Sequence, residues 1–124
     1  MHPFRAAVEA GDLDRLTALL ADDVTFNSPA VFKPYSGRDT VGVILSAVFR
    51  VFEDFRYESE IGAPGAADHA LVFRARVGDK EVHGVDLVRM NGDGEVAELT
   101  VMIRPLSALN AVVQAMGAQL EAAS

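Results

Sequence analysis

A chain of 124 residues has the size of one domain and can enclose a single hydrophobic core, so residues 1–124 are read as one unit. Eleven Lys and Arg against eighteen Asp and Glu give a net charge of −7 and a pI near 4.8, which excludes a phosphate-binding surface and with it nucleic acid. Cysteine is absent, the N-terminus lacks the apolar core of a signal peptide, and no segment approaches the roughly 20 apolar residues of a membrane span, so disulfides, thiolate chemistry and membrane insertion are excluded and a cytoplasmic location is expected.

The first helix is predicted from about Pro3 to Ala10, with proline tolerated in the first turn and Gly11 as the stop. Asp12 then caps a second helix, in which Leu13, Leu16, Leu19 and Leu20 form one apolar stripe. Val24 to Asn27 reads as a short strand ended by Ser28-Pro29. Ser36 and Asp39 are expected to cap a third helix whose Val41, Ile44, Leu45, Val48 and Phe52 share a face.

From Phe55 the period changes to two. Phe55, Tyr57, Ser59 and Ile61 alternate with Arg56, Glu58 and Glu60, the pattern of a strand with one covered face. Leu71, Phe73, Ala75 and Val77 form the inner set of the next strand, and Gly78-Asp79 turns the chain into a third. There, Val82, Gly84, Asp86, Val88 and Met90 share one face, which groups an aspartate with apolar residues. The last strand sets Ala97, Leu99, Val101 and Ile103 against Glu98, Thr100, Met102 and Arg104. Pro105 ends it and opens a final helix with Leu106, Leu109, Val113, Met116 and Leu120 at spacings of three and four; Gly117 costs that helix about 1 kcal/mol relative to alanine.

Three helices followed by a four-stranded antiparallel meander describe an α+β domain, a cone in which a curved sheet wraps the N-terminal helices, with one more helix at the C-terminus. The outer sheet face, with His83, Val85, Leu87 and Met102 rimmed by Arg74, Arg76, Arg89, Glu98 and Arg104, suits a subunit contact, so a homodimer is expected.

The stretches AGDLDRLTALLADDVTF (10–26), SG (36–37) and DLVRMNGDGEV (86–96) resemble the nuclear transport factor 2-like superfamily, and within it ketosteroid isomerases and SnoaL-like polyketide cyclases. The likeness spans roughly residues 3–104 and implies a cystatin-like cone with an apolar cavity. Ketosteroid isomerases work with an aspartate base, a tyrosine and a protonated aspartic acid. By that resemblance Asp86, which with Arg89 makes an Asp-x-x-Arg stretch, falls on the acid, whereas Ser28 stands for the base and Phe4 for the tyrosine. Two of three catalytic roles are unfilled, so a standard ketosteroid isomerase is not expected.

The candidate site is therefore Asp86 as hydrogen-bond donor or acid, its pKa raised by walls that include Phe73, Val88 and Leu99. Tyr57, on the inward parity, could supply a phenol; Ser28 and Asn27 could orient a ligand oxygen, and Tyr35 could gate the mouth. His83 faces away, and His2 and His69 are isolated. No metal site and no cofactor motif is present, and an epoxide hydrolase fails because Asp86 is the one carboxylate expected to face inward. The expected ligand is a small hydrophobic molecule. Cyclase- or isomerase-like chemistry, a non-catalytic carrier and a dimerisation module with a vestigial pocket all remain open.

Overall fold

The structure, a computed structural model, describes residues 1–123, with side chains as far as residue 120. Helix α1 (Pro3–Glu9) begins at His2, whose Nδ1 accepts a 3.1 Å hydrogen bond from the Phe4 amide, and Gly11 takes the left-handed conformation (φ +64) that lets the chain leave it. Asp12 caps helix α2 (Leu13–Leu19) by accepting 3.0 Å from the Arg15 amide, as the sequence predicts. Leu20 does not extend that helix. It caps α2 in an extended conformation and opens strand β1 (Leu20–Asn27), four residues earlier than expected.

Strand β2 is the two-residue segment Tyr35–Ser36, and helix α3 (Arg38–Val51) follows directly. The expected Ser36/Asp39 capping pair does not form: Gly37 occupies the capping position and no side chain caps the helix, because Ser36 is held in β2 opposite Thr25. The inward stripe of α3 is Val41, Ile44, Leu45, Ala47 and Val51. Strands β3 (Glu53–Ile61), β4 (Asp68–Val77), β5 (Lys80–Met90) and β6 (Val96–Arg104) form the expected antiparallel meander, and helix α4 (Leu106–Ala123) closes the chain.

The sheet is larger than the meander alone. Its order is β2-β1-β6-β5-β4-β3, six strands, because β1 adds to β6 in parallel and carries β2 with it. Periodicity in β1 is too short to show this, and its partner lies some 70 residues away in the pairing Asn27 with Thr100. A bulge between Tyr57 and Ser59 reverses the parity of the end of β3: Tyr57 pairs with Phe73, but Glu60, not Ser59 or Ile61, pairs with inward Leu71. Glu60 thereby accepts a hydrogen bond from the His2 amide at 3.2 Å, and Ile61 is turned out, 59% exposed.

The helices pack on the inner sheet face, and the core joins Phe4, Leu16, Leu20, Val24, Val41, Leu71, Phe73, Val82, Val88, Val96 and Leu99. Gly84 is needed in that face, because a Cβ there would lie 2.3 Å from the Phe73 ring and 2.8 Å from the Met102 carbonyl oxygen. Its absence lets Phe73 lie flat across β5. No helix among the described residues is long and apolar enough to cross a membrane.

Candidate functional site

Between the inner sheet face and helices α1, α3 and α4 lies a cavity of about 340 Å³. The sheet contributes Phe26, Phe55, Tyr57, Phe73, Asp86, Leu99, Val101 and Ile103; α3 contributes Ile44, Leu45, Val48 and Phe49; α4 contributes Val112, Val113, Met116, Gly117 and Leu120. Such a volume, lined mainly by apolar side chains with a few convergent polar groups, is the physical profile of a small-molecule site.

Asp86 sits mid-strand, paired across the sheet with Leu71 on one side and Val101 on the other, so the pleat aims its carboxyl inward. It is 7% exposed, and the Tyr57 hydroxyl donates a 2.7 Å hydrogen bond to its Oδ2. Burial pushes the Asp86 pKa up to about 7, while the bond from Tyr57, which favours the carboxylate, holds it lower than burial alone would. Arg89 gives it no counter-charge: on the outer face it bonds Asp68 at 2.9 Å and Glu98 at 3.4 Å. Near neutral pH the Asp86 carboxyl is thus poised between acid and carboxylate.

Tyr57 is itself buried, and desolvation together with the neighbouring Asp86 charge raises its pKa well above the ordinary phenol value. It stays a phenol. Its ring is held in an aromatic cluster, edge-on to Phe55 with centroids 5.0 Å apart, and Phe55 in turn stacks on Phe73 at 4.9 Å. The Arg5 guanidinium lies 5.9 Å from the centre of the Tyr57 ring and pairs with Glu9.

The remaining candidates divide. Phe4, Ser28, Tyr35, Phe73 and Leu99 line the cavity with Asp86 and Tyr57. Ser28 also caps its own loop, its Oγ accepting 3.0 Å from the Ala30 amide. Asn27 is elsewhere: its side-chain amide donates to Thr100 Oγ1 at 2.8 Å and Glu98 Oε2 at 3.3 Å, because the pleat that points Phe26 inward points its neighbour out. Val88 is 1% exposed but belongs to the solid core and not to the cavity wall, since it pairs with His69 and Leu99 toward the end of the sheet beyond Asp86. His83 lies on the outer face, 3.5 Å from Glu58 and 3.2 Å from Arg104.

His2 and His69, read as isolated, meet edge to face with ring centroids 4.8 Å apart, and His2 Nε2 and His69 Nδ1 are buried without hydrogen-bond partners. Asp86 is the one buried carboxylate among the described residues; Glu9, at the end of α1, also borders the cavity, but it is exposed and paired with Arg5. Among the described residues no cluster of three or more His, Asp or Glu side chains could hold a metal ion.

Comparison with known proteins agrees with this architecture. A steroid Δ-isomerase from Pseudomonas aeruginosa is 38% identical over 96% of this chain and 87% of its own, with a TM-score of 0.91. A protein of cystatin-like fold from Silicibacter pomeroyi DSS-3 is 37% identical over 98% and 87%, with a TM-score of 0.90. A nuclear transport factor 2-like protein from Cytophaga hutchinsonii, 18% identical over 86% and 88% with a TM-score of 0.63, shares the fold. No curated protein matches. The SnoaL-like domain model matches residues 2–99, and the chain accordingly belongs to the SnoaL-like family of the nuclear transport factor 2-like superfamily.

Proposed function

We propose that the protein binds a small, neutral, mainly apolar molecule in this cavity and holds one of its oxygen atoms at the Asp86 carboxyl. The observation that carries the reading is the Tyr57–Asp86 hydrogen bond of 2.7 Å, set in a wall that is otherwise almost entirely aromatic and aliphatic. With Tyr57 donating to Oδ2, the other carboxyl oxygen is the one left for a ligand. In the neutral acid it donates to a carbonyl oxygen; in the carboxylate it accepts from a hydroxyl. Tyr57 is then a positioning residue, its proton already committed to Asp86. The protein would work in the cytoplasm as a homodimer joined through the outer sheet face around Val85, Leu87 and Met102. A chain without cysteine suits a reducing compartment.

The test is fluorescence titration with prodan, a neutral naphthyl ketone whose emission reports transfer to an apolar site. The parent protein should bind it, Asp86→Asn, which keeps a donor, should bind within about threefold, and Asp86→Leu should weaken binding about tenfold or more, the size of one hydrogen bond to a ligand. Equal binding by the parent and Asp86→Leu overturns the reading.

A second reading is enzymatic, and Glu9 favours it. Donation of a hydrogen bond by Asp86 to a ketone oxygen makes the neighbouring C–H more acidic, and a base in the same cavity could then remove that proton. Ser28 and Phe4, which stand where a ketosteroid isomerase has its base and phenol, both line the cavity and neither can act as a base at neutral pH. Glu9, exposed and paired with Arg5, is the other carboxylate that borders the cavity. The likeness to a steroid Δ-isomerase gives the substrate to try: turnover of a β,γ-unsaturated ketosteroid that disappears in Glu9→Gln supports this reading, and no turnover by the parent ends it.

A further inference from the structure

Two glycines lie inside helices, and they differ. In α3 a Cβ on Gly42 would meet the Thr17 side chain of α2 in ordinary van der Waals contact, its methyl carbon 3.6 Å away. In α4 a Cβ on Gly117 would meet nothing within 4 Å. Gly117 also has no positive φ, so neither backbone conformation nor close approach calls for glycine. Glycine is nevertheless the poorest helix former after proline.

What distinguishes position 117 is its place on the cavity. The stripe of α4 that lines it is Val112, Val113, Met116, Gly117 and Leu120, apolar side chains on both sides of one bare position. Gly117 and Val113 are solvent-exposed as well as cavity-lining, which sets them where the cavity opens. The helix is pinned over α3 by Arg50, whose Nε donates a 2.8 Å hydrogen bond to the Gln119 side chain two residues past the glycine.

We propose that Gly117 is a specificity-determining position: its missing side chain is a notch in the α4 wall that admits the outer end of a ligand of two or more fused rings anchored at Asp86. The inference rests on reading the cavity as a ligand site. A branched side chain at 117 turned into the cavity would fill the notch and leave room only for single-ring compounds, because an added isobutyl group excludes a comparable ligand volume.

The experiment compares prodan, the two-ring probe, with acetophenone, a single-ring ketone measured by its displacement of prodan in the parent and by calorimetry in the variants. Gly117→Leu should weaken prodan about tenfold while acetophenone stays within about twofold. Gly117→Ala should change both probes by less than about threefold and raise the thermal midpoint, since alanine favours the helix and meets no neighbour. Retained acetophenone binding shows that the leucine variant is folded. If Gly117→Leu binds prodan as the parent does, or loses both probes equally, the assignment of Gly117 is overturned while the ligand site stands. If the parent binds neither ketone, the ligand site itself falls, and the role of Gly117 falls with it.

Discussion

The Tyr57 hydroxyl and the Asp86 carboxyl, 29 residues apart on strands β3 and β5, meet at 2.7 Å in the wall of the cavity. Strand β4 lies between their strands, so the bond is made across the inner sheet face over the Leu71–Phe73 segment that pairs with both. Both groups are buried, and each is the other's hydrogen-bond partner. Tyr57→Phe removes the interaction that favours the Asp86 carboxylate, and carboxyl-carbon NMR titration should find the Asp86 pKa displaced upward from its value of about 7. An unchanged or lower value would show that the hydroxyl is turned elsewhere in solution.

The same pair predicts a non-additive mutant cycle. Asp86→Leu alone leaves the Tyr57 hydroxyl buried without an acceptor and should cost about 1–3 kcal/mol in urea denaturation below pH 7, whereas Asp86→Leu with Tyr57→Phe should recover most of that loss. Additive losses in the double variant would argue against direct coupling.

Stability should fall as pH rises through neutrality. The Asp86 pKa is raised on folding from 3.8 to about 7, so the folded protein keeps a proton that the unfolded chain has already released. The contribution is fully present below the unfolded value of 3.8 and is lost as pH rises through about 7. At about 1.4 kcal/mol per pH unit the interval amounts to on the order of 4 kcal/mol. Asp86→Asn should flatten this dependence in denaturation series run from pH 5 to pH 8.5.

His2 acts with the opposite sign. Burial, reinforced by His69 and the terminal amine and opposed by Glu60, lowers its pKa from 6.5, and its Nδ1 can accept from the Phe4 amide only while the ring is neutral. The unfolded chain therefore takes up a proton first, and the stabilisation is complete above pH 6.5 and lost as pH falls through the lowered folded value. His2→Asn keeps a capping acceptor at every pH. Compared with the parent, it should lose less stability between pH 7 and pH 5, and its α1 amides should keep more of their hydrogen-exchange protection at the lower pH.

On the outer face Leu87 and Met102 are 38% and 54% exposed, within reach of charged neighbours such as Arg74, Arg89, Glu58 and Glu98. A dimer formed there would bury Leu87, so Leu87→Glu should convert a dimer to a monomer in sedimentation velocity, because an unpaired carboxylate in a contact is costly to desolvate. A parent that sediments as a monomer, or a variant that stays dimeric, would remove this face as the interface.

Local sequence determined much of the molecule. Period-two alternation marked β4, β5 and β6 and put Asp86 on the inner face with Phe73 and Leu99; helical spacing marked α3 and α4; Asp12 and Gly11 set the junction between the first two helices. Those features depend on neighbours within a few residues, which sequence displays directly. Tertiary structure decided what depends on distant partners. The parallel pairing of β1 with β6 enlarged the sheet to six strands, and the bulge after Tyr57 exchanged Ile61 for Glu60 on the inner face. The packing of α1 on β3 carried Glu9 to the cavity and paired His2 with His69. Parity could place Tyr57 and Asp86 on one face, but two side chains on strands that do not touch become partners only when the register of the strand between them is fixed. That register is set by the whole sheet, through Gly84 yielding space to Phe73 and Leu71 pairing with Asp86, and no local pattern encodes it.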